Sequence, residues 1–257
     1  MSSHSEFAYA QARIQARHGR RAEAADWRRL ASSGDLENFL QAAQRTPLAS
    51  WTQGLQADRS SHAIEIQLRQ RFRDYVGEVA GWLPTGARPV VHWISQLPDL
   101  PALQHLLSTG TAPAWMFNDP QLQPLAEADR GHRGVVIRTT EFAPLADAWQ
   151  KGIALPDAWL EQWHRRWPKI KAQQQGLEYL GRLLQRFLSG STARETGRAG
   201  GDPHARLVSG LRYVFRRFSF KPAAACAHLG LVALDLQQLR GELVQRALFD
   251  ERTALRI

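Results

Sequence analysis

The segment AHLGLVALDLQQLRGEL (residues 227–243) decides the fold when it is set beside VVHWISQLPDLPALQHLL (residues 90–107). In each, an apolar stretch leads to an aspartate, and leucines follow one, four and eight residues later. Asp99 precedes Leu100, Leu103 and Leu107, and Asp235 precedes Leu236, Leu239 and Leu243. Leucines three and four apart fall on one side of a helix. An acid ahead of them suits the positive end of a helix dipole. The recurrence in matching context predicts a duplicated helical unit, and so an all-α chain of repeated helical units.

Helical spacing extends outward from these two copies. Phe7, Ala10 and Ile14 share one face of a first helix, Arg13, Arg17 and Arg21 follow another, and Gly19 marks its end. A second helix is expected over 23–31. A third should start near Ser33, whose hydroxyl can cap it, with Asp35 and Glu37 in its first turn. Thr46-Pro47 reads as a cap followed by the proline of a further short helix. The longest early helix is expected over 59–82, with Ile64, Leu68, Phe72, Tyr75 and Val79 as its apolar stripe. Pro84, Gly86 and Pro89 end it, and two short helices follow over 90–96 and 100–108.

Between 109 and 142 the periodicity fails among prolines and glycines, and Val135-Val136-Ile137 reads as a brief strand. From 156 to 188 it returns strongly. Trp159, Trp163 and Trp167 recur every four residues as a packing stripe, and Pro168 splits the segment. SGSTARETGRAGGDP (189–203) is low in complexity and reads as a mobile loop. Helices resume from 204, the last expected over 233–249. The organisation expected is an N-terminal helical unit (1–110), an irregular connecting region (111–155) and a C-terminal helical unit (156–257) carrying the 189–203 loop.

Composition narrows the function classes. A single cysteine, Cys226, excludes an internal disulfide framework and any cysteine-based zinc site. Its apolar surroundings make it a buried small hydrophobe. No run of 18 or more apolar residues is present, so no membrane-spanning helix is expected. The N-terminal residues lack the apolar core of a secretory signal. Lys and Arg outnumber Asp and Glu by 33 to 24, and the excess reads as scattered arginine. Such a chain is drawn to acidic partners. Phosphate-cradling, dinucleotide, nucleophile-elbow and zinc-protease motifs are all missing from the sequence. His92, His105, His164 and His228 lie in helical patterns and read as packing or surface histidines. Asp74 and Glu78 share a helix face with arginines and read as ion-pair partners. No catalytic, cofactor-binding or metal-ligating residue is assigned, and no cofactor or small-molecule substrate is expected.

Several segments, in order, resemble the C-subunit family of V-type and A-type rotary ATPases (the d-subunit of the eukaryotic V-type enzyme). FAYAQARIQARHGRR (7–21) is similar to the family's first helix, in which an aromatic start leads into recurring Arg and small residues. DWRRLASSGDLENFLQAAQRTPLASW (26–51) resembles the helix-turn-helix that follows. RQRFRDYVGEVAGWLP (69–84) and HWISQLPDLPALQHLLSTG (92–110) resemble the long helix and the recurring acid–leucine segment. FKPAAACAHLGLVALDLQQLRGELVQRAL (220–248) is the best match, with Leu239-Arg240 at the family's Leu-Arg pair. Family members usually run longer, with three such units, and the middle one is shortened here.

The resemblance implies a funnel-like helical array seated on the membrane rotor ring and receiving the central axle. It implies a non-catalytic part of the central stalk that couples axle to ring, cytoplasmic and peripheral to the inner membrane, with membrane contact only through the ring. Arg13, Arg17, Arg21 and Arg240 are the candidate axle or ring contacts. The alternative is a helical nucleic-acid-binding protein, suggested by the net charge of +9, although nucleic acid is not the partner expected. An all-helical enzyme ranks third.

Overall fold

The computed structural model describes residues 3–190 and 202–254, and among them every regular element is helical. In chain order the helices are α1 (Ser3–His18), α2 (Ala24–Ala31), α3 (Leu36–Ala43), α4 (Ala49–Thr52) and α5 (Ser61–Trp82). Next come α6 (Arg88–His92), α7 (Leu100–Thr109), α8 (Gln123–Glu127), α9 (Arg133–Val136), α10 (Ala146–Lys151) and α11 (Leu155–Arg165). The last three are α12 (Lys171–Gly190), α13 (Pro203–Arg217) and α14 (Pro222–Ala254), and short 3₁₀ turns join several of the middle helices.

The centre of the molecule is α14, which packs against α13, α12, α5, α3, α6 and α1. Its sequence accounts for this. Ala223 to Ala227, Leu229, Leu231 and Val232 are buried on all sides, whereas Leu236, Leu239 and Leu243 form a single buried stripe further along. Small residues let the neighbours close in. A methyl group at Gly176 of α12 would stand 2.6 Å from the Ala223 side chain, and one at Gly210 of α13 would stand 2.6 Å from Leu183. On α5, Ile64, Leu68, Phe72 and Val79 of the expected stripe are buried and Tyr75 is half-buried, while Val76 beside it is buried as well. Trp159 and Trp163 are fully buried, and their surroundings bind α11 to the first half of the chain. Trp163 donates to the Val90 carbonyl (2.9 Å), Trp93 donates to the Trp159 carbonyl (3.1 Å), and Trp93 stacks on Trp159.

Local expectations fail in instructive places. Val135-Val136-Ile137 is not a strand: α9 and a 3₁₀ turn (Ile137–Thr139) cover it, with Ile137 buried and Val135 exposed. β-Branched residues favour strands only where a partner strand exists. The third helix is capped by Asp35, not Ser33, because the Asp35 carboxylate accepts from the Asn38 amide at 2.7 Å. Thr46 accepts from the Leu48 amide in a tight turn instead of capping directly, and α4 begins at Ala49. The last helix starts at Pro222 rather than near 233, since residues 222–232 are helical and simply buried all round.

The two copies of the repeat also differ in form. Residues 227–243 lie within one continuous helix, whereas 90–107 are broken into α6, a 3₁₀ stretch (Trp93–Asp99) and α7. Pro98 and Pro101 remove the amides that continuity would require. Asp235 is therefore inside a helix, not at its start. The 109–142 region is a chain of short helical turns, and its Met116, Leu122, Leu125, Ile137 and Phe142 join the same core as the long helices. The low-complexity segment falls, over 191–201, outside the described residues.

Candidate functional site

The four arginines assigned as partner contacts all engage other side chains of this chain. Arg13 lies over the Trp82 ring at 4.8 Å and donates to the Tyr9 hydroxyl. Arg17 pairs with Glu78 of α5 at 3.0 Å, and Arg240 pairs with Glu65 of α5 at 2.6 Å. Arg21 grips Asp235 through two hydrogen bonds of 2.7 and 2.8 Å and also donates to the Leu231 carbonyl. Glu78 is thus the ion-pair partner its position suggested, whereas Asp74 accepts from Gln70 one turn earlier. Arg17, Arg21 and Arg240 tie α1 and α14 to each other and to α5.

Both repeat aspartates are held by arginine from another part of the chain, Asp99 by α5 and Asp235 by the turn after α1. Asp99 is fully buried and accepts from Arg73 of α5 at 2.7 and 3.3 Å. Beside it, buried Asp119 accepts from Arg69 at 2.8 Å and from the Gln121 amide at 3.0 Å. Two acids and two arginines thus make one nearly dry cluster between α5, the 3₁₀ stretch before α7 and the turn at 119. Burial pushes the Asp99 carboxyl up to about 6 despite Arg73, which leaves it ionised at neutral pH. Asp235 is likewise raised by burial, with Arg21 opposing. The sequence signal for the cluster was Arg69 and Arg73 one turn apart on a helix that is otherwise apolar on that side.

A second polar joint lies where α1, α5, α13 and α14 meet. His228 is fully buried, and its Nε2 shares a 2.7 Å hydrogen bond with the Tyr75 hydroxyl. His18 stacks on Phe215 at 4.0 Å, with its ring centroid 5.7 Å from that of His228. Burial first, then the neighbouring cations, hold His18 down at about 4 and His228 at about 3. Both rings are neutral at physiological pH. No group of three or more metal-ligating side chains gathers among the described residues. The Cys226 thiol is buried and its titration pushed up, which removes it from thiolate chemistry.

The charge distribution overturns the expectation of scattered arginine. Residues 169–234 hold 11 of the 33 Lys and Arg but only 3 of the 24 Asp and Glu, so about a quarter of the chain carries +8 of the net +9. No acid occurs from 203 to 234. The described part of this segment comprises α12, α13 and the start of α14, and α12 packs on α13. Arg182, Arg186, Arg212, Arg216 and Arg217 are exposed and form no ion pair among the described residues. Tyr179 and Tyr213 stand together on its surface with centroids 5.3 Å apart. Eight arginines elsewhere are paired with acids, among them Arg17, Arg21, Arg73 and Arg240, whereas none of these five is. Counting charge in windows along the sequence would have found this.

Concave features are modest. A groove of about 520 Å³ is lined by Arg88, His92, Trp93, Ser95, Gln96 and Arg166, among others. Its arginines are engaged: Arg88 donates to the Leu83 carbonyl, and Arg166 lies over Trp93 and donates to the Gln162 carbonyl. No nucleophile paired with a base lines it. Among the described residues no helix is long and apolar enough to cross a membrane. No protein-family model, no curated protein and no solved structure matches this chain.

Proposed function

We propose that this chain is a non-catalytic central-stalk subunit of a rotary V/A-type ATPase and couples the axle to the membrane rotor ring. The observation that carries the reading is the treatment of the two repeat acids. Each ends an apolar helical run, each stands before the same leucine spacing, and each is clamped by an arginine from elsewhere in the chain, Asp99 by Arg73 of α5 and Asp235 by Arg21 of the turn after α1. A torque-transmitting part must resist shear between its helices, and buried multidentate ion pairs between elements resist sliding in a way that apolar contacts alone do not. Arg17–Glu78 and Arg240–Glu65 add links of the same kind at the surface.

On this reading the helices form a funnel-like array, the partners are the axle subunits and the rotor ring, and the chain is cytoplasmic and peripheral to the inner membrane. Arg13, Arg17, Arg21 and Arg240 act first as internal ties, so partner contacts fall to cations without internal acids. Purifying tagged chain from gently solubilised membranes of its native host, with mass spectrometry of its companions, tests the proposal. Recovery of ring and axle subunits is the expected result, and their absence from repeated preparations rejects it.

A further inference from the structure

The open end of the α12–α13 hairpin joins charge, exposed apolar side chains and backbone strain. Gly176 lies against Phe218 and Ala223, so the first turns of α12 and the 218–221 turn form one end of the hairpin. Ile170, just ahead of α12, is 58% exposed, and Phe220, between α13 and α14, is 38% exposed. Lys169 and Lys171 bracket Ile170, whereas Arg217 and Lys221 approach the Phe218 ring at 5.9 and 5.7 Å. Phe220 is the one described non-glycine residue with positive φ (61°). A bulky L residue there is strained, and glycine would serve the turn better. Its amide is held by the Oε1 of buried Gln11 at 2.9 Å, a contact any residue could make.

We propose that this tip docks on an anionic lipid surface, with Phe220 and Ile170 entering the headgroup boundary and Lys169, Lys171, Arg217 and Lys221 meeting lipid phosphates. Charge complementarity selects the occupant: no acid lies between 203 and 234 to repel phosphate. Ile170 is what favours a bilayer over a polyanion, because an exposed aliphatic side chain gains from the acyl boundary and offers no ring on which a base could stack. The contact would be the chain's own, beyond any attachment through a rotor ring, and its evidence does not rest on the rotary role.

Co-sedimentation of the full chain with vesicles tests this. The probes are phosphatidylcholine alone, phosphatidylcholine mixed with phosphatidylglycerol, and a single-stranded oligonucleotide as the competing polyanion. The expected result is binding to the anionic vesicles only, weakening as salt rises. Phe220→Gly combined with Ile170→Ser should lower vesicle affinity roughly ten-fold in a variant whose helical circular-dichroism signal matches the parent's. Each of Lys169→Glu and Lys221→Glu should lower it roughly five-fold or more. No binding to anionic vesicles, equal binding by the Phe220→Gly/Ile170→Ser variant, or tighter binding to the oligonucleotide than to vesicles would each overturn the proposal.

Discussion

Acid should weaken this protein through the histidine joint, and the size of the effect follows from the geometry. His228 sits in a fully buried site with only the Tyr75 hydroxyl as partner, and its titration is held down at about 3. In the unfolded chain it returns to its ordinary value near 6.5. Between these values the unfolded state binds the extra proton, so stability is full above 6.5 and falls as pH drops toward 3. From about pH 7 to about pH 5 the difference amounts to about 2 kcal/mol for His228. His18, lowered to about 4 but only half-buried, adds a smaller loss of the same sign, reduced by solvent screening. Asp99 works the other way: its carboxyl is raised to about 6, so its protonation below that value favours the fold by about 1 kcal/mol over the same window. The clean readout is therefore a difference. Urea denaturation of the parent and of His228→Gln at both pH values should show a fall with pH about 2 kcal/mol smaller in the variant. Parallel pH profiles for the two proteins would mean that His228 is charged or solvated in the fold, and would refute the buried joint.

Two further substitutions probe the packing and the ties. Gly176→Ala places a methyl 2.6 Å from the Ala223 side chain and 2.7 Å from Phe218, and should destabilise by about 1–3 kcal/mol in thermal or chemical melts. Arg21→Met leaves the Asp235 carboxylate largely buried without its partner and should cost about 3 kcal/mol, whereas Arg21→Met with Asp235→Leu should recover most of that loss in a double-mutant cycle. An additive cycle would mean the pair is not coupled.

Much of the helical pattern was legible in the sequence, because long amphipathic helices announce their buried faces. The α5 stripe from Ile64 to Val79, the tryptophan ladder and the break at Pro168 all follow from spacing and proline chemistry. Where the reading failed, the local signal was overridden by context. Residues 222–232 carry no amphipathic period because α14 is surrounded there, so its first three turns were invisible as a helix start. Valine and isoleucine at 135–137 suggested a strand, but no partner strand exists among the described residues. The acids that Arg17 and Arg21 meet, Glu78 and Asp235, lie far away in the chain, so local spacing could not reveal those ties. The cationic hairpin was hidden for a simpler reason. A total of +9 says nothing about location, and the depletion of acids over 169–234 shows only when charge is counted segment by segment.

The coupling role is tested most directly in inside-out membrane vesicles from the native host, by measuring ATP hydrolysis and ATP-driven ion uptake together. With the chain deleted, uptake should vanish while hydrolysis by the catalytic subunits persists, and adding back purified chain should restore uptake. Unchanged uptake in the deleted vesicles would contradict a place between axle and ring.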